Sequence, residues 1–297
     1  MAPQLIINAD DFGLTPGVNR AIAELHQARA VTSATLMATG AAFDDAIAIA
    51  HANPTLGVGC HIVLTDGTPV SPPKTIPTLI GPDGKNFRPS LVDFSQALLR
   101  GTIREDDIER EATAQIQKLQ CAGIRVTHID THKHTHLFPQ VARPLLRIAE
   151  RCSVRAIRHP FEQAWSLALG HGNRIRRLQI TFLGRLKTSF EQQPQIRDAH
   201  VLTTSGTIGI SATGNLYTET LHQILHAMPA EGIFELCCHP GYNDRDLDRI
   251  ATRLRAHRDI ERNALRTEVP ALALHPNAPQ LINYGDLGAY RTLRKAG

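Results

Sequence analysis

Between Thr127 and His136 the chain reads Thr-His-Ile-Asp-Thr-His-Lys-His-Thr-His, which sets four imidazoles and one carboxylate within nine residues. His128, Asp130, His132 and His134 stand at every second position. If the stretch is extended, all four side chains share one face. Imidazole and carboxylate together form the ligand set of a catalytic divalent metal. A polar strand end with ordinary core or surface histidines accounts for any one of these residues, but poorly for the whole cluster. A working metal site also needs another ligand, an open coordination position and a base.

Three other places offer them. Asp10 and Asp11 follow the apolar run Leu5-Ile6-Ile7. His61 lies near the end of Gly57-Val-Gly-Cys-His-Ile-Val. His239 follows a second apolar run, in Cys238-His-Pro-Gly-Tyr242. Adjacent carboxylates after a strand point in different directions, so one can bind a metal while the other stays free as a base. The base would take a proton from an attacking water that the metal has acidified. His239 is placed to protonate a leaving amine.

The elements that must position these residues alternate. Short apolar runs predict strands at 5–8, 31–37, 57–63, 125–130, 154–158, 199–203, 232–238 and 280–283. Helical spacing predicts helices at 16–27, 42–52, 105–122, 139–151, 216–227 and 246–262. Thr15-Pro16 is a fitting helix start and Gly123 a fitting stop. About seven or eight strand–helix units with no linker imply a parallel sheet with helices outside, and favour a closed or nearly closed barrel. In such barrels the active site lies at the carboxyl ends of the strands. Asp10, Asp11, His61, Asp130, His132 and His239 all fall at strand ends. The forty residues after the third strand, with Pro69, Pro72, Pro73, Pro77, Pro82 and Pro89, read as a long loop of the kind that forms lids. Residues 161–198 read as an insertion. It mixes Arg174, Arg176, Arg177, Arg185 and Lys187 with Ile175, Leu178, Phe182 and Leu183, as a solvated helix face or as a cap or anionic-surface patch would.

Composition narrows the class. A chain of 297 residues with 42% hydrophobic and 20% charged residues is an ordinary globular protein, and its length suits a single α/β barrel domain spanning 1–297. A net charge of +4 is too small, over this length, to point to nucleic acid. Five cysteines without CxxC spacing fit a reducing compartment. No signal peptide and no membrane-length apolar run is seen, so the cytoplasm is expected, with peripheral contact at the inner membrane face left open. GxGxxG and P-loop motifs are missing, which removes support for dinucleotide or P-loop nucleotide binding.

Four segments, Asn8-Ala-Asp-Asp-Phe-Gly-Leu14, Gly59-Cys-His-Ile-Val-Leu64, Thr127 to His136 and Cys238-His-Pro-Gly241, together resemble the YdjC-like carbohydrate deacetylases, in the family's order and over nearly the full chain. The resemblance implies a distorted (β/α) TIM-like barrel. It also implies removal of acetyl groups from N-acetylated sugars with one divalent ion, Mg²⁺ or Zn²⁺, with Mn²⁺ or Co²⁺ as alternatives. It implies Asp11, His61 and His132 as metal ligands, Asp10 as base and His239 as acid. Asp130, His134, His136 and Arg158 would then contact the substrate, with His134 and His136 alternatively standing behind the ligands. Thr131 and Lys133 depart from the residues many relatives carry there, and neither is an implied ligand. Within the family the segments VNRAI and LTDGTPVSPP and the basic–apolar insertion look most like the hopanoid-biosynthesis-associated branch, which acts on an N-acetylglucosaminyl group on a bacteriohopane lipid. The expected partner is therefore an N-acetylated sugar or glycolipid; a homodimer is left open.

Other chemistries compete. A chito-oligosaccharide deacetylase would want more aromatic platforms than a 5% aromatic content with Trp165 as the sole tryptophan provides. A metal-dependent phosphoesterase would usually want a second metal. A non-enzymatic sugar-binding barrel has no need of the Asp10-Asp11 pair.

Overall fold

Asn8 and Glu235, polar residues on adjacent strands, lie wholly buried in the middle of the sheet. That sheet is curled and parallel, its strands running in the order Ile129–Thr131, Gly57–Ile62, Ser33–Leu36, Gln4–Phe12, Ile233–Cys238 and Gly206–Ile208. The computed structural model describes residues 3–169 and 174–289. Its first half runs β1 (Gln4–Phe12), α1 (Pro16–Gln27), β2 (Ser33–Leu36), α2 (Phe43–Ala52), β3 (Gly57–Ile62), α3 (Leu91–Leu99), α4 (Glu105–Cys121), β4 (Ile129–Thr131) and α5 (Pro139–Arg151). Then come α6 (Ala164–Leu169), α7 (Arg174–Leu183), α8 (Lys187–Glu191), α9 (Pro194–Arg197), β5 (Gly206–Ile208), α10 (Thr218–His226), β6 (Ile233–Cys238), α11 (Arg245–Asp248), α12 (Ala256–Leu272) and β7 (Gln280–Leu281). β7 pairs with the start of β1. The result is a single α/β domain.

β1 is the central strand and every residue in it is buried, as expected where both faces of a parallel sheet are covered. Among the described residues, the sheet continues beyond β4 through single parallel bridges, Ile129 to Ile157 and Ala156 to Leu202, and Glu162 bridges to Thr207 of β5. The strands predicted at 154–158 and 199–203 are thus reduced to bridging residues. The proline-rich loop conceals α3, whose start is fixed by Ser90 accepting from the Asp93 amide. The helix predicted at 246–262 is broken: α11 ends at Asp248 and α12 begins at Ala256. Part of the insertion, residues 170–173, lies outside the described residues, as do the side chains of Arg174, Ile175, Arg176 and Arg177.

Helix α4 carries Ile108, Ala112, Ile116 and Leu119 into the core. Its outer side meets α5 through a charged ladder. Glu105 accepts from Arg143 at 2.6 Å and Arg147 at 2.7 Å, and Glu109 accepts from Arg147 at 2.6 Å and from Arg151. Among the described residues no helix is long and apolar enough to cross a membrane.

Candidate metal centre

The site begins with an irregularity in β1. Ala9 pairs with Ala34 and Phe12 with Leu36, so three steps along β1 match two along β2. This is a β-bulge, a device that bends a strand and re-aims its side chains. Asp11 is the residue that absorbs it, at φ +62°, a left-handed conformation that aspartate tolerates better than most residues. The Asp10-Asp11 pair therefore lies within the strand rather than after it, and the bulge lets two consecutive carboxylates serve neighbouring parts of one site.

Three expected ligands converge. Asp11 Oδ1 stands 3.5 Å from His61 Nε2 and 3.4 Å from His132 Nδ1, and the two ring nitrogens are 3.3 Å apart. Atoms about 2.0–2.2 Å from one ion in tetrahedral array stand roughly 3.3–3.6 Å from each other. The spacing thus fits a single divalent ion without rearrangement. Asp11 Oδ1 is buried with no conventional hydrogen-bond partner. His132 is the only one of the three with appreciable exposure, a 27% exposed side chain on the solvent side.

The surroundings orient these ligands. His61 Nδ1 lies 2.7 Å from Asp130 Oδ1, which leaves Nε2 to face the cluster. Burial opposes charge on that ring, but Asp130, with Asp10 and Asp11 nearby, lifts its pKa to about 9. Arg258 donates to Asp11 Oδ2 at 2.6 Å, so the carboxylate presents one oxygen to the rings and the other to a guanidinium. Burial raises the Asp11 pKa, yet Arg258 and His132 together hold it well below the usual carboxylate range.

Asp10 is not free. Arg158 grips both its oxygens, at 2.8 and 2.6 Å, and Asn8 donates to Oδ1 at 2.9 Å. Burial raises its pKa, but the Arg158 charge and hydrogen bonds outweigh this and hold it far down. The carboxylate is ionised at neutral pH. His239 Nε2 stands 3.8 Å from Asp10 Oδ2, and its backbone N–H donates to Glu261 at 2.5 Å.

Two residues expected to contact the substrate are enclosed. Arg158 is fully buried. Its Nη1 meets Asp10 and Asp130, its Nη2 meets Asp10 and Glu235, and its Nε meets Glu235 at 2.8 Å. Three of its N–H groups donate to carboxylates, one to Glu235 and two to Asp10, and the Asp130 contact is a close ion pair at 2.6 Å. Asp130 likewise lies at 0% exposure behind His61, tied to Arg158 and to the Thr35 hydroxyl.

Nor does the histidine run stay extended. After Thr131 the chain turns, with Lys133 at φ +58° and His134 at φ +53°, and the alternation ends. His128 is buried and stacked on Tyr284 with ring centroids 3.7 Å apart. Its ring fills the space where Gly59 has no side chain; a Cβ there would come within 2.5 Å of it. His136 is buried, 2.7 Å from the Thr131 hydroxyl, and burial with the Arg158 charge pushes its pKa down to about 3. His134 is half-buried, its Nδ1 is enclosed without a hydrogen-bond partner, and burial with Arg158 keeps it neutral.

Glu235, Arg258 and Glu261 escaped the sequence reading. A lone glutamate in the buried run Ile-Phe-Glu-Leu-Cys-Cys was a usable signal for the first. Arg258 and Glu261 sit in a helix rich in charge, where nothing in the pattern separates them from solvated neighbours.

Two further groups could hold a cation, Asp10 with Cys237 and His239, and Asp10 with His61 and Asp130. Both use Asp10, and the Arg158 guanidinium beside its oxygens disfavours a cation there. The Asp11, His61 and His132 set is the one whose facing oxygen has no cationic partner.

A bulged carboxylate and two imidazoles from the ends of β3 and β4 meet at one edge of a parallel α/β sheet, in a group that could hold a metal ion. Residues 4–274 match the family model of YdjC-like protein, and the chain belongs to that family. The chain is 32% identical over 285 residues to a carbohydrate deacetylase of Brevibacillus brevis, covering 96% of this chain and 100% of that one. A carbohydrate deacetylase of Geobacillus stearothermophilus is 42% identical over 146 residues, 49% of this chain and 56% of that one. Among solved structures, a putative cellobiose-phosphate cleavage protein from Enterococcus faecalis superposes with a TM-score of 0.75 at 25% identity, covering 97% of this chain and 99% of that one.

Proposed function

We propose that this chain is a metal-dependent hydrolase that removes the N-acetyl group from an N-acetylglucosamine-containing substrate. The observation that carries the reading is the spacing of Asp11 Oδ1, His61 Nε2 and His132 Nδ1, 3.3 to 3.5 Å from one another. The Brevibacillus relative, matched over its whole length, supports carbohydrate deacetylation as the reaction. We read the curled sheet as a distorted (β/α) barrel, with the site at the carboxyl ends of its strands.

Asp11, His61 and His132 would hold the ion, which supplies Lewis acidity toward water and the amide carbonyl. Mg²⁺ and Zn²⁺ are the leading candidates; the two-imidazole, one-carboxylate set also suits Mn²⁺ or Co²⁺. Asp10, held ionised by Arg158, accepts the proton of the attacking water. His239, 3.8 Å from Asp10 Oδ2, delivers a proton to the departing nitrogen. Acetate and the free amine leave. The carbonyl carbon gains a C–O bond and loses its C–N bond, and the water proton ends on the amine. His134, half-buried in the turn beside His132, is proposed to bound the sugar site, and His136, fully buried against the Thr131 hydroxyl, to support that turn.

For the substrate we propose the N-acetylglucosaminyl group of a bacteriohopane glycolipid. Exposed Leu178 and Phe182, 70% and 63% exposed and one turn apart on α7, stand beside Arg185 and Lys187 and suit peripheral docking at an anionic membrane surface. Diacetylchitobiose is the competing substrate, and a phosphoesterase reading is weakened because the other two cation groupings share an Arg158-bound Asp10. Acetate release from the glycolipid and from diacetylchitobiose, measured side by side on metal-loaded protein, tests this. Release from the glycolipid alone supports the substrate assignment. Release from the sugar alone places the protein in oligosaccharide metabolism, and release from neither overturns the proposed reaction.

A further inference from the structure

Arg258 and Glu261 are three residues apart on α12, and both are 1% exposed. On a helix this spacing puts two opposite charges on one face, where they ordinarily pair with each other. Here each reaches a different active-site residue. Arg258 Nη2 donates to Asp11 Oδ2 at 2.6 Å. Glu261 Oε2 accepts the His239 backbone N–H at 2.5 Å and stands 3.9 Å from His239 Nδ1. Its other oxygen takes the Gly214 N–H at 3.3 Å.

The backbone repeats the arrangement. Gly241 N–H donates to the Arg258 carbonyl at 3.2 Å, so the His239-Pro240-Gly241 turn after β6 is tied to α12 at both ends. The fit is close: a Cβ on Gly241 would lie 3.0 Å from Arg258 Cδ and 3.1 Å from Val18. Arg258 is further braced by Nε donating to the Leu254 carbonyl at 3.1 Å.

We infer that α12 is the positioning element of the site: Arg258 occupies one oxygen of Asp11 so that only the other faces His61 and His132, and Glu261 sets the placement of His239. Neither residue touches substrate or reacting atoms. The inference rests on the proposed metal and acid roles, but its first half is read without any substrate. An Asp11 carboxylate without Arg258 could rotate or offer both oxygens, and the three-atom spacing would loosen. A His239 without Glu261 loses the anchor on its backbone and the carboxylate behind its ring.

The test pairs two variant series, Arg258→Gln with Arg258→Lys and Glu261→Ala with Glu261→Gln. Zn²⁺ affinity is measured by titration calorimetry on metal-stripped protein, and kcat and KM are measured separately on metal-saturated protein, with thermal melts confirming folding. Arg258→Gln is expected to weaken Zn²⁺ binding roughly 10–100-fold, with Arg258→Lys restoring part of it. Glu261→Ala is expected to leave Zn²⁺ affinity within about threefold of native while lowering kcat roughly 10–100-fold at little changed KM, and Glu261→Gln to recover part of kcat. Native Zn²⁺ affinity in folded Arg258→Gln overturns the first half. Equal loss of Zn²⁺ affinity in both series overturns the division of labour and reduces α12 to a packing helix. If no tested substrate releases acetate, the function proposal fails while the Arg258 result still stands or falls on the calorimetry.

Discussion

Arg158 meets Asp10 edge-on, with Nη1 2.8 Å from Oδ2 and Nη2 2.6 Å from Oδ1, both residues shut away from solvent. A bidentate pair fixes the plane of the carboxylate as well as its charge. The expected base is thus oriented and ionised before any substrate arrives. The same guanidinium also joins Asp130 and Glu235, so three strands of the sheet, β1, β4 and β6, meet at one cation.

Replacing Asp10 with Asn removes the proton acceptor but keeps the shape. We expect acetate release to fall by about 10²–10⁴-fold, with metal affinity changed by less than about tenfold. Steady-state rates together with metal titration check this; a variant that retains more than about a tenth of native turnover rules Asp10 out as base.

Arg158→Leu strands three buried carboxylates without a countercharge. Breaking a buried ion pair from one side typically costs about 3–5 kcal/mol, and this case belongs at the upper end or beyond. Urea unfolding should show a large fall in midpoint or no folded protein. Arg158→Lys, which keeps the charge but loses the fork, should fold with a smaller loss. If Arg158→Leu is as stable as native, the buried network is not what joins the strands.

Asp130 acts through His61. Asp130→Ala frees the ring to turn and removes the acceptor at Nδ1, so metal affinity should fall roughly 10–100-fold. Its KM at saturating metal should stay near native, because Asp130 lies behind the ligand rather than beside the sugar. A KM rise with unchanged metal affinity would return Asp130 to a substrate-binding role.

Much of this was legible in the residues. Type and strand-end position single out Asp10, Asp11, His61, Asp130, His132 and His239, the family resemblance picks Asp11, His61 and His132 from among them, and the structure brings those three together. What was hidden is instructive. Alternation from His128 to His134 looks like a strand, but Lys133 and His134 take positive φ values that no hydropathy pattern signals. The β1 bulge is equally silent, since it depends on the register against β2. From sequence Arg158 reads as a substrate contact, because one residue does not announce the three carboxylates, from distant segments, that surround it. Arg258 and Glu261 were masked by the charge around them, and α3 by the prolines before it.

The α4–α5 ladder gives a pH signature away from the site. Partial burial raises the Glu105 and Glu109 pKa values, but the arginines outweigh it and leave both below the ordinary 4.5. A depressed carboxylate contributes stability above its unfolded value and loses that contribution as pH falls through the folded one. With the arginines largely exposed, Glu109→Gln should cost only about 0.5–1 kcal/mol at neutral pH. The difference from native should shrink steadily below pH 4.5. A difference that stays constant with pH would show that the ladder is not the source.

The central claim is that one ion held by Asp11, His61 and His132 supports N-deacetylation. The most direct measurement is acetate release from the N-acetylglucosaminyl glycolipid and from diacetylchitobiose by three preparations: metal-stripped protein, the same protein reloaded with Zn²⁺ or Mg²⁺, and His132→Ala treated identically. The account predicts release from at least one substrate by the reloaded native protein only. Equal release by the stripped protein or by His132→Ala would contradict it.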